Sequence, residues 1–188
     1  SSDVCSSDLV ILVGEIRDED TATMAFRAAM TGHQVYSTLH TNSALGAIPR
    51  LLDIGIVADI LAGNIIGIVS QRLVRRLCKH CKQPHEAQAT ECKLVGARPD
   101  RAPTLYRAVG CDQCDYQGYR GRIAIMELLR LDGELDELIA HRATSRELLK
   151  AAVGKGFKTL ADDGIRRVLD GSTSVDELMR VVDLTDRM

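Results

Sequence analysis

Short apolar runs alternate with amphipathic stretches along the first third of the chain. Residues 9–13, LVILV, are continuously apolar and rich in β-branched side chains. This predicts a strand buried on both faces, as in a parallel sheet flanked by helices. Asp18 and Thr21 are candidate N-caps for a helix over roughly 20–31, with Ala22, Ala25, Phe26 and Ala29 on one face and Gly32 at its end. Residues 34–39, QVYSTL, predict a second strand, so strand, helix and strand follow one another within about 30 residues. Ser43 opens another amphipathic helix, AIPRLLDIG, which Gly55 closes; Pro49 inside it should kink it or shift its start. Residues 57–77 read on as apolar helix ending in the basic QRLVRRL.

The pattern changes at Cys78. From there to about 104 the chain is polar and punctuated by Pro84, Pro99 and Pro103, which predicts a loop held by something other than a core. Strand character returns over 104–109 and 119–131, around a second cysteine pair. After Gly133 the periodicity is helical, over about 134–141, 144–153, 159–170 and 174–182. Thr144 with Glu147 and Ser174 with Glu177 have the spacing of capping boxes. Residues 1–8, SSDVCSSD, are a near-repeated polar stretch without periodicity. They read as an expression scar or a misassembled end, and Cys5 goes with them. The expected organisation is therefore α/β over 9–77, a cysteine-bearing element over 78–118, and a strand with a small helical subdomain over 119–188.

Composition narrows the function classes. The 188 residues are 45% hydrophobic, enough for a core, and carry a net charge of -2. Trp is absent and only four Tyr and two Phe occur, which argues against nucleic-acid binding with its basic surplus and stacking aromatics. Residues 60–71 are too short and too polar to span a bilayer, and no secretion leader is recognisable. Four of the six cysteines form two Cys-x-x-Cys pairs, Cys78/Cys81 and Cys111/Cys114, which favours a reducing compartment and a metal over a disulfide framework. Each pair can offer two thiolates from a tight turn, and two pairs complete a tetrahedral Zn²⁺ site. The gap between pairs is longer than usual, and Cys92, His80 and His85 stay open as substitute ligands. Four free core cysteines are the other reading, against which the polar surroundings count. A thioredoxin-type role needs one pair on a βαβ unit, not two facing pairs. The basic group Arg72, Arg75 and Arg76 reads as a solvated helix face or as a contact with a neighbouring subunit or an acidic partner.

Two segments carry candidate chemistry. LVGEIRD brings an acid, Glu15, to the C-terminal end of an apolar strand, where α/β nucleotide-binding folds place a carboxylate at the ligand crevice. Taken alone, a buried strand followed by an exposed polar turn explains the pattern better. TGHQVYSTLHTN puts His33 and His40 at the two ends of the next strand. If the strands are parallel, His40 shares the sheet edge of Glu15, where a neutral imidazole can meet a phosphate or a polar switch residue.

GEIRD followed by TGHQVYSTLHTN resembles the Walker B segment and histidine box of the secretion-superfamily ATPases, the motors of type II secretion and type IV pilus assembly. RLLDIG, SQRLVRRLC and GYRGRIAIMELL extend the resemblance over nearly all of 9–188. It implies an α/β fold containing part of a RecA-like P-loop NTPase core, with ATP and Mg²⁺ as cofactors. It also implies Glu15 as the Walker B acid, Gly14 and Arg17 beside the nucleotide, and His33 and His40 as histidine-box residues; Asp18 matches the motif too. The implied assembly is a homohexamer on inner-membrane secretion or pilus platform proteins, at the cytoplasmic face of the bacterial inner membrane, with membrane association through those partners. A tetracysteine zinc element marks the type II and pilus-extension branches, not the retraction motors. LYRAVGCDQC and GYRGRIAIMELL point to type II secretion, with pilus extension as the alternative. No G-x-x-x-x-G-K-[ST] loop occurs, so the chain reads as the C-terminal part of such an ATPase and is expected to be inactive alone. Pro49 departs from the family pattern. A zinc-stabilised interaction module without catalysis is the reading from another class.

Overall fold

The computed structural model describes residues 10–185; the stretch 1–8, with Cys5, and the first residue of the expected strand, Leu9, lie outside the described residues. The described chain divides into two compact units, one of residues 10–69 with 128–157 and one of 70–127 with 158–185. The expected C-terminal helices are thus shared between two cores.

The first unit opens with a βαβ motif. Strand β1 (Val10–Val13) pairs in parallel with β2 (Gln34–Ser37), in the register Val10 to Gln34 and Val13 to Ser37. Helix α1 (Glu19–Met30) makes the crossover, and Asp18 Oδ1 accepts the Thr21 N–H at 2.8 Å, the N-cap its sequence position predicts. Ala22, Ala25 and Phe26 are buried as the periodicity requires. The expectation that β1 is buried on both faces is corrected. Val10 and Leu12 are 65% and 77% exposed, because β1 alternates and only Ile11 and Val13 are half-buried. Helix α2 (Ala47–Ile54) starts later than Ser43, whose Oγ instead accepts the Gly46 N–H. The later start puts Pro49 in the first turn, where its missing N–H has no intrahelical partner to lose. Helix α3 (Ala58–Leu61) is a single turn.

Residues 57–77 are not one helix. After α3 the chain becomes strand β3 (Gly67–Leu77), which pairs with β6 (Tyr119–Arg130). Gly63, Asn64 and Gly67 discourage helix, and Ile65, Ile66, Ile68, Val69 and Val74 favour extended backbone. Helices α5 (Gly133–Ala140) and α6 (Ser145–Gly154) return to the first unit. There Leu135, Ile139, Leu148 and Ala152 join Phe26, Ile48, Leu51, Leu61, Leu129 and Leu131 in one core.

The second unit corrects the coreless loop expected over 78–104. Strands β4 (Gln83–Glu86) and β5 (Thr104–Arg107) form an antiparallel pair, and helix α4 (Ala89–Val95) lies between them in the chain. Ala87, Cys92, Leu94 and Leu105 are buried with Val74 and Ile125 of the long strands. Helices α7 (Leu160–Leu169) and α8 (Val175–Val181) close this core through Leu160, Ile165, Val168, Val175 and Leu178. The prolines and charges of 78–104 masked a minimal apolar set at spaced positions, which is all a three-element layer needs.

The capping boxes divide. Thr144 and Glu147 bond reciprocally, and Thr159 with Asp162 adds a second box in which an aspartate takes the place of the usual glutamate. Ser174 accepts the Glu177 N–H, but the Glu177 carboxylate does not return the bond; it is engaged elsewhere.

Candidate functional site

The C-terminal edge of the βαβ motif gathers the acid and one of the two histidines. Ile16 N–H donates to Thr38 O at 3.0 Å and Thr38 Oγ1 donates to Gly14 O at 2.7 Å, which carries the parallel pairing past the end of β1. Glu15 Oε1 contacts His40 Nε2, and Glu15 Oε2 lies 2.5 Å from the Arg17 guanidinium. The Arg17 hydrogen bond holds the Glu15 carboxyl below the usual carboxylate range; burial pulls it up, and the charges of Arg17 and His40 add to the lowering. Glu15 is therefore an ionised carboxylate at the mouth of a parallel sheet, with its side chain 21% exposed and two cationic or polar partners that are open to solvent. Gly14 leaves the space beside it empty: a Cβ there would meet nothing within 4 Å.

His33 is at the other end of β2. Its Nδ1 lies 3.1 Å from Thr31 Oγ1 and 3.2 Å from Ala28 O, at the C-terminus of α1. The structure therefore brings Glu15, Arg17 and His40 together and does not bring His33 to them. Asp18 is committed to capping α1.

The second cluster is Cys78, Cys81, Cys111 and Cys114, whose sulfurs all lie within 4.8 Å of one another. Cys78 follows β3 directly, and Cys114 ends a 3-10 turn over Asp112–Cys114. The Sγ distances are 3.9 Å for Cys78 to Cys111, 3.8 Å for Cys81 to Cys114 and 3.8 Å for Cys111 to Cys114. Four sulfurs about 2.3 Å from one ion at tetrahedral angles stand about 3.8 Å apart. The thiols are free, not disulfide-bonded. Backbone N–H groups of Gly110, Cys111 and Gly118 point at Cys81, Cys114 and Cys114, each at 3.3 Å, a pattern that suits thiolates. Two glycines make that approach feasible. Gly110 has φ +122° with Tyr116 O 2.6 Å from where a Cβ would be, and Gly118 has φ +75° with the Ala108 Cβ at 2.7 Å. Burial pushes the Cys111 thiol up to about 12 and raises Cys81. At Cys114 the N–H donors and neighbouring sulfurs outweigh burial and leave it at about 7. The donor set has the number, chemistry and spacing to hold one metal ion. Of the substitute ligands, Cys92 is buried against Ala87 O, His85 Nε2 bonds Glu91, and His80 is exposed outside the cluster.

The expected basic helix face is resolved differently. On β3 the side chains alternate, so Arg76 is exposed while Arg75 turns to Glu177, which is 2% exposed. Glu177 accepts from Arg75 N at 3.0 Å, from Nε at 2.8 Å and from Nη2 at 2.6 Å. The Arg75 guanidinium stacks on Tyr119 at 4.2 Å, and Tyr119 Oη meets Ser174 Oγ at 2.7 Å. Sequence reasoning did not single out Glu177 or Tyr119 for this role. Asp176 and Arg180 flank Glu177 on α8, so nothing local marked it as a buried carboxylate.

A parallel βαβ edge bearing an ionised acid and a histidine, with four cysteines in the second unit that could hold a metal ion, defines an α/β protein. Residues 8–180 match the family described as "Type II/IV secretion system protein". The chain is 48% identical over 172 residues to a type II secretion system protein E of Pseudomonas aeruginosa, covering 92% of this chain and 34% of that protein. It is 45% identical to a type II secretion system ATPase E of Vibrio cholerae, with the same coverage. With a type IV pilus assembly ATPase of Acinetobacter baylyi it shares 42% over 181 residues, covering 94% and 30%. In fold it is similar to the X-ray structure of the Legionella pneumophila ATPase DotB, with a TM-score of 0.59 at 21% identity, over 92% of this chain and 38% of that one. The chain belongs to the type II/IV secretion system protein family, among the secretion ATPases. It spans about a third of the length of the curated relatives it matches. Among the described residues no helix is long and apolar enough to cross a membrane.

Proposed function

We propose that this sequence forms the C-terminal part of an ATP-hydrolysing motor that drives pseudopilus assembly in type II protein secretion. The observation that carries this is the Glu15–His40 contact at the C-terminal edge of a parallel strand pair, where a carboxylate can orient water or a magnesium-bound ligand. In this reading residues 9–77 belong to a RecA-like core that binds ATP with Mg²⁺. Glu15 is the acid that acts on the attacking water, His40 senses the phosphate end, and Gly14 and Arg17 line the same edge. The bonds of His33 to Thr31 and the Ala28 carbonyl favour a role in ending α1. Cys78, Cys81, Cys111 and Cys114 hold a structural Zn²⁺ that fixes residues 78–118; the 3.8–3.9 Å sulfur spacing supports that choice. Residues 119–188 then supply the C-terminal strand and helices. The motor acts as a homohexamer on inner-membrane platform proteins, at the cytoplasmic face. Identities to type II relatives run from 48% down to 41% and bracket the 42% to the pilus ATPase, so the choice of secretion over pilus extension rests on LYRAVGCDQC and GYRGRIAIMELL.

The test is ATP turnover. The full-length protein carrying this sequence should hydrolyse ATP in a magnesium-dependent manner, and Glu15→Gln should lower kcat by about 10²-fold or more. The 188-residue chain alone should show none. Unchanged turnover in Glu15→Gln would remove Glu15 from the chemistry. Should the full-length protein show no turnover at all, the alternative of a zinc-stabilised interaction module takes over, as the apolar core of the unit that carries the cysteines would allow.

A further inference from the structure

We propose that Thr38 is a positioning residue for Glu15, an inference that rests on reading Glu15 as the carboxylate of the nucleotide site. Strand β1 ends at Val13, and Gly14 has no side chain with which to anchor the residue after it. Glu15 should therefore be free to swing. Two bonds prevent this, and both come from one residue. Thr38 Oγ1 donates to Gly14 O at 2.7 Å, and Thr38 O accepts the Ile16 N–H at 3.0 Å. The peptide units on either side of the Glu15 Cα are thus pinned to the same point on the neighbouring segment. That point lies two residues before His40, whose Nε2 meets Glu15 Oε1. Thr38 therefore sets where the acid stands and how far it is from the histidine.

The two bonds differ in what a substitution removes. The backbone bond survives any side chain, whereas the Gly14 bond needs a hydroxyl. Thr38 is exposed and its backbone continues from β2, so a valine there keeps the β-branched shape and displaces no core packing. Thr38→Val then isolates the loss of one donor, and Thr38→Ser restores the donor without the methyl. The bond lost positions the acid, so the effect should fall chiefly on the rate and only slightly on binding. A misplacement of about 1 Å can cost about 10²-fold in rate, so a partial release of the Gly14–Glu15 segment should cost about 10-fold or more.

The experiment is steady-state ATP hydrolysis by the full-length protein, with Thr38→Val, Thr38→Ser and Glu15→Gln compared and the thermal midpoint of each recorded. Expected for Thr38→Val is a fall in kcat of about 10-fold, KM for ATP within about twofold of wild type, and an unchanged midpoint. Thr38→Ser should return kcat to within about threefold of wild type. Wild-type kcat in Thr38→Val beside an inactive Glu15→Gln overturns the positioning role and leaves Glu15 in place. A Thr38→Ser variant as slow as Thr38→Val, or a loss that tracks a lowered midpoint, overturns it in favour of a merely structural threonine. Full turnover in Glu15→Gln overturns the reading beneath it and the proposal together.

Discussion

Glu177→Gln should destabilise the protein by about 2–3 kcal/mol at neutral pH, a magnitude set by the surroundings of the carboxylate. Glu177 is 2% exposed and receives three N–H groups of Arg75 at 2.6–3.0 Å. The amide keeps the volume and one acceptor but turns a donor toward the guanidinium. Hydrogen bonds to a charged group contribute about 1.5–3 kcal/mol net, and breaking a buried pair costs about 3–5 kcal/mol. The Arg75 side chain is 38% exposed and can recover water, which holds the cost at the lower end. The pH dependence has a definite sign. Burial pulls the Glu177 carboxyl up, but Arg75 outweighs it and the folded group titrates below its ordinary value. Its contribution is therefore complete above the ordinary carboxylate range of about 4.3, and it is lost as pH falls through the lower folded value. Urea unfolding of wild type and Glu177→Gln at pH 7 and across the acid range is the assay. The two stabilities should converge as the pH drops. A difference under about 0.5 kcal/mol at pH 7, or a gap that widens in acid, would refute the account.

Three further outcomes are expected. Purified protein should carry about one zinc per chain by elemental analysis, and Cys114→Ser should lose it together with thermal stability; an intact fold without metal would exclude the site. Gly164→Ala should change sign with its background, because its Cβ would stand 2.3 Å from Leu178 Cδ1. In wild type, crowding of about 1–3 kcal/mol exceeds or cancels the helix gain of about 1 kcal/mol. In Leu178→Ala the same change should stabilise by about 1 kcal/mol, and urea denaturation of the four proteins reads both. Asp18→Ala removes the acceptor for Thr21 N–H and should cost about 1 kcal/mol, measured the same way.

Elements with local signals were legible in the sequence. Asp18 caps α1, Gly55 ends α2, and Thr144 with Glu147 closes a capping box because caps are decided within four residues. Each Cys-x-x-Cys pair was legible for the same reason, and the Glu15–His40 edge because both residues follow the strands of one βαβ unit. What failed was decided by partners distant in sequence. Strand β3 looks helical because Arg, Gln and Leu favour helix, and only β6 across the ladder settles the matter. Glu177 has capping-box spacing from Ser174, yet it bonds Arg75, roughly a hundred residues away. Its buried carboxylate needs the guanidinium's charge more than the helix end needs a second cap. The apolar set of 78–104 was invisible because its residues are few and separated by prolines and charges.

These long-range bonds also explain why the cysteine cluster is more than a loop staple. Leu77 N–H, immediately before Cys78, donates to Ser172 O at 2.9 Å. Lys82, immediately after Cys81, donates to Gly171 O at 2.8 Å and lies over the Tyr106 ring at 4.3 Å. Both flanks of the first cysteine pair therefore hold the turn between α7 and α8. Thr173 Oγ1 adds a bond to Arg75 O at 2.8 Å, one residue before the buried N-cap Ser174. The start of α8 is thus positioned by the same strand that delivers Cys78, and the second pair is tied in through Cys78 N–H to Gly118 O at 2.9 Å. Releasing the four sulfurs from one another would free both strands' ends at once. The turn over 171–173 would then lose its acceptors' partners, and Glu177 would lose the fixed approach of Arg75. A metal held by the cysteines would stabilise the same structure as the buried carboxylate on α8, so the two contributions should be strongly non-additive.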